Sequence, residues 1–152
     1  MKRDFFYIIG LFAIFLTITS CARTWQDPNT SIPAQSISIA DLITNRQAYD
    51  SAGVSLIGKV WNLQVEPQAT ESPDGIKEPY TTFILADRKG TGVDVYAAGD
   101  VQIQEGDFVR VVGIYRKEFQ QTGDYFLNVV DAVRIEDWNP GIGYWIREME
   151  FD

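Results

Sequence analysis

Apolar and polar positions alternate with a period of two through Phe108-Val109-Arg110-Val111-Val112-Gly113-Ile114-Tyr115, where Val109 and Val111 oppose Arg110. A two-residue period in β-branched sequence predicts a strand with one buried face. Glu105-Gly106-Asp107 supplies a tight turn before it, and Gly113 interrupts it. Glycine inside a strand marks a bulge, a bend or a close backbone approach. The same design appears earlier in Val54-Ser55-Leu56-Ile57-Gly58-Lys59-Val60. Two long strands interrupted at matching glycines predict a small barrel that closes by bending its strands around corners.

The remaining pattern fills in the elements around these two. A first strand is expected over Val54–Val65 and a second over Tyr80–Asp87, with Phe83 and Leu85 opposing Tyr80, Thr82 and Ile84. Arg88-Lys89-Gly90-Thr91-Gly92 reads as a hairpin turn into a third strand, Val93–Ala97, where Val93 and Val95 oppose Asp94 and Tyr96. The fourth strand is the opening stretch, and the fifth is Tyr125–Ile135. Glu66–Pro79, with three prolines, and Glu118–Asp124 read as loops. Ahead of the strands, Ser38 and Asp41 form a helix start, and Ile39, Leu42 and Ile43 share an apolar face extending to Tyr49. After them, Ile142, Trp145, Ile146 and Met149 fall at helical spacing in a tail, 138–152, expected to pack on the barrel.

The N-terminus follows a different rule. Lys2 and Arg3 precede an uncharged run, Phe5–Ile18, too short for a bilayer that needs about 20 apolar residues, and so fitting a signal peptide. The run leads into Ile18-Thr19-Ser20-Cys21, and Cys21 is the only cysteine of the chain. This stretch resembles the lipobox of bacterial lipoproteins. The resemblance implies removal of residues 1–20, lipidation of Cys21 and residence in the cell envelope. Ala22 in place of a retention aspartate implies the periplasmic side of the outer membrane in a cell that has one, and otherwise the outer face of the cytoplasmic membrane. Residues 21–37, with Pro28 and Pro33, read as a flexible tether, and 38–137 as the folded domain.

Composition narrows the chemistry. The net charge is −8, and loss of residues 1–20 would make it one unit more negative, a field that repels polyanions at long range. The chain has no histidine, which excludes imidazole bases, histidine-led triads and most zinc sites. A single cysteine excludes an internal disulfide. Asp87, Gly90, Gly92 and Asp94 lack the spacing and closing glutamate of a calcium loop, so no metal or other cofactor is expected.

The strand order, together with Val54-x-Leu56-x-Gly58-x-Val60, Phe83-x-Leu85-x-Asp87 with Gly90, and Glu105-Gly106-Asp107-x-Val109-x-Val111-x-Gly113, resembles OB-fold modules of the tRNA-anticodon-binding and helicase type. The resemblance spans about Val54–Ile135 and implies an all-β, five-stranded Greek-key barrel, SH3-like barrels being the alternative. It also implies a ligand face on the second and third strands between two flanking loops. The candidate residues on that face are Lys59, Trp61, Tyr80, Thr82 and Tyr96, with Arg110, Arg116 and Lys117 adding charge. Aromatics beside cations suit single-stranded nucleic acid, whereas the acidic balance and the implied location favour a protein or envelope polymer. A non-catalytic binding module is therefore the expected function, with oligonucleotide binding as the alternative and a paired-carboxylate hydrolase behind both.

Overall fold

The structure, a computed structural model, describes residues 22–27, 31–66, 79–121 and 124–139. Cys21, the apolar run Phe5–Ile18, most of the Glu66–Pro79 loop, Gly123 and the tail beyond Asn139 lie outside the described residues. The chain is mostly β. Its strands are β1 (Thr24–Gln26), β2 (Gln35–Ser36), β3 (Gly53–Glu66), β4 (Tyr80–Ala86), β5 (Gly92–Ala98), β6 (Phe108–Gln121) and β7 (Asp124–Asp137). Two short helices, α1 (Ile39–Thr44) and α2 (Arg46–Tyr49), lie between β2 and β3.

Hydrogen bonding joins the five long strands into a ring. β3 pairs antiparallel with β4, β4 with β5, β6 with β7 and β6 with β3, while β5 and β7 close the circuit in parallel. The alternation read from the sequence sets the inside: Leu56, Val60, Phe83, Leu85, Val93, Val95, Val109, Val111, Val130 and Ile135 are buried in one core. Closing the ring requires β3 to serve two neighbours, β6 along Gly53–Lys59 and β4 from Lys59 onward. Gly58 sits at this changeover, where an added Cβ would stand 2.6 Å from the Ala86 carbonyl oxygen. Gly113 sits at the register shift between β6 and β7, where a Cβ would collide with the Asp131 carbonyl. Both glycines therefore serve close backbone approach.

Three segments differ from the sequence expectation. The single helix to Tyr49 is two helices, because Thr44 Oγ1 donates to the Ala40 carbonyl and Asn45 Nδ2 to the Asp41 carbonyl, local bonds that compete with helix propagation. The start is as expected: the Asp41 amide donates to Ser38 Oγ at 3.0 Å, and the Ser38 hydroxyl donates to Asp41 Oδ2 at 2.7 Å. Ile39 and Leu42 reach into the core.

The supposed tether is partly strand. β1 lies antiparallel on β7, and β2 runs parallel to β3. Arg23 ties β1 down through Asp107 at 3.0 Å and Asp137 at 3.4 Å, and Trp25 packs against the core. The supposed loop Glu118–Asp124 is mostly a continuation of the β6–β7 hairpin, with Phe119 opposite Phe126 and Gln121 opposite Asp124. Its polar composition hides a strand period: half-buried Phe119 alternates with exposed Glu118 and Gln120.

Gly113→Ala tests the close approach. The methyl group meets backbone rather than a yielding side chain, so we expect a loss of about 1–3 kcal/mol in chemical denaturation. Wild-type stability in that variant would show that β6 and β7 do not need to approach there.

Candidate functional site

Register places side chains of four strands, β3, β4, β5 and β7, in rows. One row runs Trp61, Ile84, Asp94, Val129, and the next runs Gln64, Thr82, Tyr96, Asp131. Asn62, with a φ of +50°, lies in the irregularity of β3 between these rows.

The far end of the β6–β7 hairpin, from Arg116 to Asn128, is laid over this face. Asn128 has a φ of +55°, and its Oδ1 accepts a 3.1 Å hydrogen bond from the hydroxyl of buried Tyr115. Beyond that bend four rings pack together. Tyr96 lies 5.3 Å from Tyr80, 5.2 Å from Phe119 and 5.3 Å from Phe126, between ring centroids. The Tyr80 hydroxyl donates to Asp124 Oδ2 at 3.1 Å, near the turn of the hairpin. Burial, this hydrogen bond and the charges of Asp124 and Glu66 all push the Tyr80 pKa up.

Between the arm and the sheet lies a cleft of about 430 Å³. Its floor carries Asn62, Gln64, Thr82, Ile84 and Asp94, and β7 supplies Tyr125, Phe126, Leu127 and Val129. Among the described residues Asp94 is the only charged one lining it. Asp94 is exposed, yet partial desolvation at the cleft raises its carboxyl pKa, and it has no hydrogen bond or ion pair among the described residues.

The candidate residues separate into three groups. Thr82 lines the cleft, and Trp61 stands in the same row as Ile84 and Asp94, 48% exposed, with Lys59 Nζ 5.1 Å from its ring centroid. Tyr80 and Tyr96 are on the expected face but serve the ring cluster, and Tyr96 is only 4% exposed. Arg110, Arg116 and Lys117 do not join the site. Arg110 is on β6, which the ring separates from β4 and β5, and it lies over the Trp138 ring and beside Glu136. Arg116 is paired with Asp131 at 3.5 Å, and Lys117 Nζ donates to Gln47 of α2 at 2.8 Å.

The sequence pattern places Asp94 beside Tyr96 on the expected face but does not single out Asn62, Gln64 or the Tyr125–Leu127 wall. The spacing of Phe119 and Phe126 about Gly123 was the available signal. Among the described residues no three potential metal ligands cluster.

No protein-family model matches the chain, and no curated protein does. The chain is similar to the solved structure of a "putative aspartyl-tRNA synthetase from Leishmania major Friedlin", with 14% sequence identity and a TM-score of 0.47. The similarity covers 76% of this chain and 23% of that one, so the chain spans under a quarter of that protein's length.

Two measurements test this geometry. Phe126→Ala removes ring contacts of about 0.5–1.5 kcal/mol each, so amide exchange should accelerate in 116–128 while the ring strands keep their protection. Uniform acceleration would mean that the arm is not a separate unit. For Asp94 the folded state favours the protonated carboxyl, so its contribution to stability is full at low pH and is lost as pH rises through the raised pKa. Asp94→Asn should therefore raise Tm modestly at pH 7, and the gain should vanish below the ordinary value of 3.8. A gain independent of pH would remove the burial argument.

Proposed function

We propose that this chain is an OB-fold binding module, exported and anchored by lipid on Cys21, that holds a protein or envelope polymer without catalysing a reaction. The strand order around the ring, with its parallel β5–β7 closure, supports the OB reading, since a five-stranded Greek-key barrel has its ligand face on the second and third strands. Here those strands are β4 and β5. The observation that carries the proposal is the cleft on that face, bounded by the β6–β7 arm and lined by neutral polar, aromatic and apolar side chains with one acid.

A site for phosphates needs cations and open ring faces. Among the described residues no cation lines this one, Arg116 is paired with Asp131, and Tyr80 and Tyr96 are packed against Phe119 and Phe126, which leaves Tyr125 as its open ring. Half-exposed Trp61 beside Lys59 is the feature that favours single-stranded nucleic acid as the second reading.

The test titrates the full chain in mild detergent with fluorescent single-stranded DNA and RNA at low and physiological salt, alongside Trp61→Ala. The expected result is no salt-sensitive binding. Micromolar binding that weakens steeply with salt and with Trp61→Ala would replace this proposal with the second reading. In bacterial cells producing the chain, Cys21→Ser should abolish labelling by radioactive palmitate, and persistent labelling would overturn the anchoring.

A further inference from the structure

The cleft wall formed by β7 is an unfinished sheet edge. From Asp124 to Leu127, β7 pairs with β6 on one side, and its other side meets β5 only from Val129 onward. The far edge of Tyr125–Asn128 therefore has no strand partner among the described residues. That edge borders the cleft, because Tyr125, Phe126 and Leu127 line it and, among the described residues, none of β6 does. An unpaired edge presents alternating N–H and C=O groups, the template on which an extended chain adds as a further strand.

Charge selects among extended chains. Asp94 stands opposite this edge with apolar Ile84 and Val129 beside it in its row and no counter-ion among the described residues. Glu118 lies beside the Tyr125 hydroxyl, and Glu66 and Asp124 act on Tyr80 nearby. The neighbouring cations are engaged, Lys59 over the Trp61 ring and Arg116 with Asp131. An anionic ligand would meet repulsion here, and a neutral one would cover the exposed Asp94 carboxylate without compensating its charge. A lysine or arginine side chain compensates it. Tyr125 and Leu127, 59% and 55% exposed, provide apolar and aromatic surface for the stem of such a side chain.

We propose that the cleft takes an extended peptide segment of a partner protein, which pairs along Tyr125–Asn128 of β7 and directs a lysine or arginine to Asp94. This deepens the binding-module reading and rests on it. The cleft volume of about 430 Å³ suits a short segment rather than a folded surface.

The probe is a phage-displayed library of random nonapeptides, selected on the full chain in detergent and in parallel on Asp94→Asn. Wild-type selection should enrich peptides with a lysine or arginine at one position, and these should bind Asp94→Asn at least tenfold more weakly. Bound peptide should slow amide exchange at Tyr125–Asn128, a readout that a fold defect in the variant would not mimic. Selection without cation enrichment, equal affinity for Asp94→Asn, or unchanged exchange at that edge overturns the inference. A neutral oligosaccharide or an oligonucleotide that protects the cleft while peptides do not would also overturn it, the former leaving the binding module standing. Failure of all three probes to protect any cleft amide would count against the module itself.

Discussion

Ring closure is the constraint on which the other features depend. Five strands can satisfy one another's edges only if the long ones turn from one neighbour to the next, and the turn brings backbones closer than a side chain permits. Gly58 and Gly113 are where this chain makes those approaches, at the Ala86 and Asp131 carbonyls. With both in place, the alternating Val, Leu and Phe residues face one enclosed core, capped by Ile39 and Leu42 of α1. The opposite faces are turned outward, and the outward rows of β3, β4 and β5 become the floor of the cleft.

The arm of the β6–β7 hairpin decides how much of that floor is available. By packing Phe119 and Phe126 edge-on and tilted against Tyr80 and Tyr96, it converts an aromatic display into a local core. An exposed stacking platform and a structural ring cluster use the same residue types, and only the position of the arm separates them. What stays open is the strip from Asn62 through Thr82 and Ile84 to Asp94. Its character is polar and acidic rather than cationic.

Legibility in the sequence followed the range of the interaction. The five long strands, the interrupting glycines and the Ser38–Asp41 helix start were readable, because each rests on residues a few positions apart. The break at Asn45 depended on two side-chain bonds to helix carbonyls that are compatible with an unbroken helix on composition alone. The arm resembles a loop in sequence because Glu118, Gln120 and Gln121 outnumber the aromatic that alternates with them. Among the site residues, Thr82 could be assigned to a face by parity alone. Tyr96 had the right parity but lost its exposure to Phe119 and Phe126, more than 20 positions away. β1 and β2 are too short to show any period, and what holds β1 is Arg23 reaching Asp107 and Asp137.

That short first strand also sets a leash length. Thr24 is already paired with Glu136, so a lipid on Cys21 would be joined to the folded domain by only three residue steps, at most about 10 Å of extended chain. With the proposed anchor, a domain held so closely would not sweep a large volume, and the β1 end of β7 would be the end nearest the lipid. Along β7 the cleft wall at Tyr125–Val129 is at the other end of the strand. The proposed binding surface would then lie toward the end of the strand remote from the lipid.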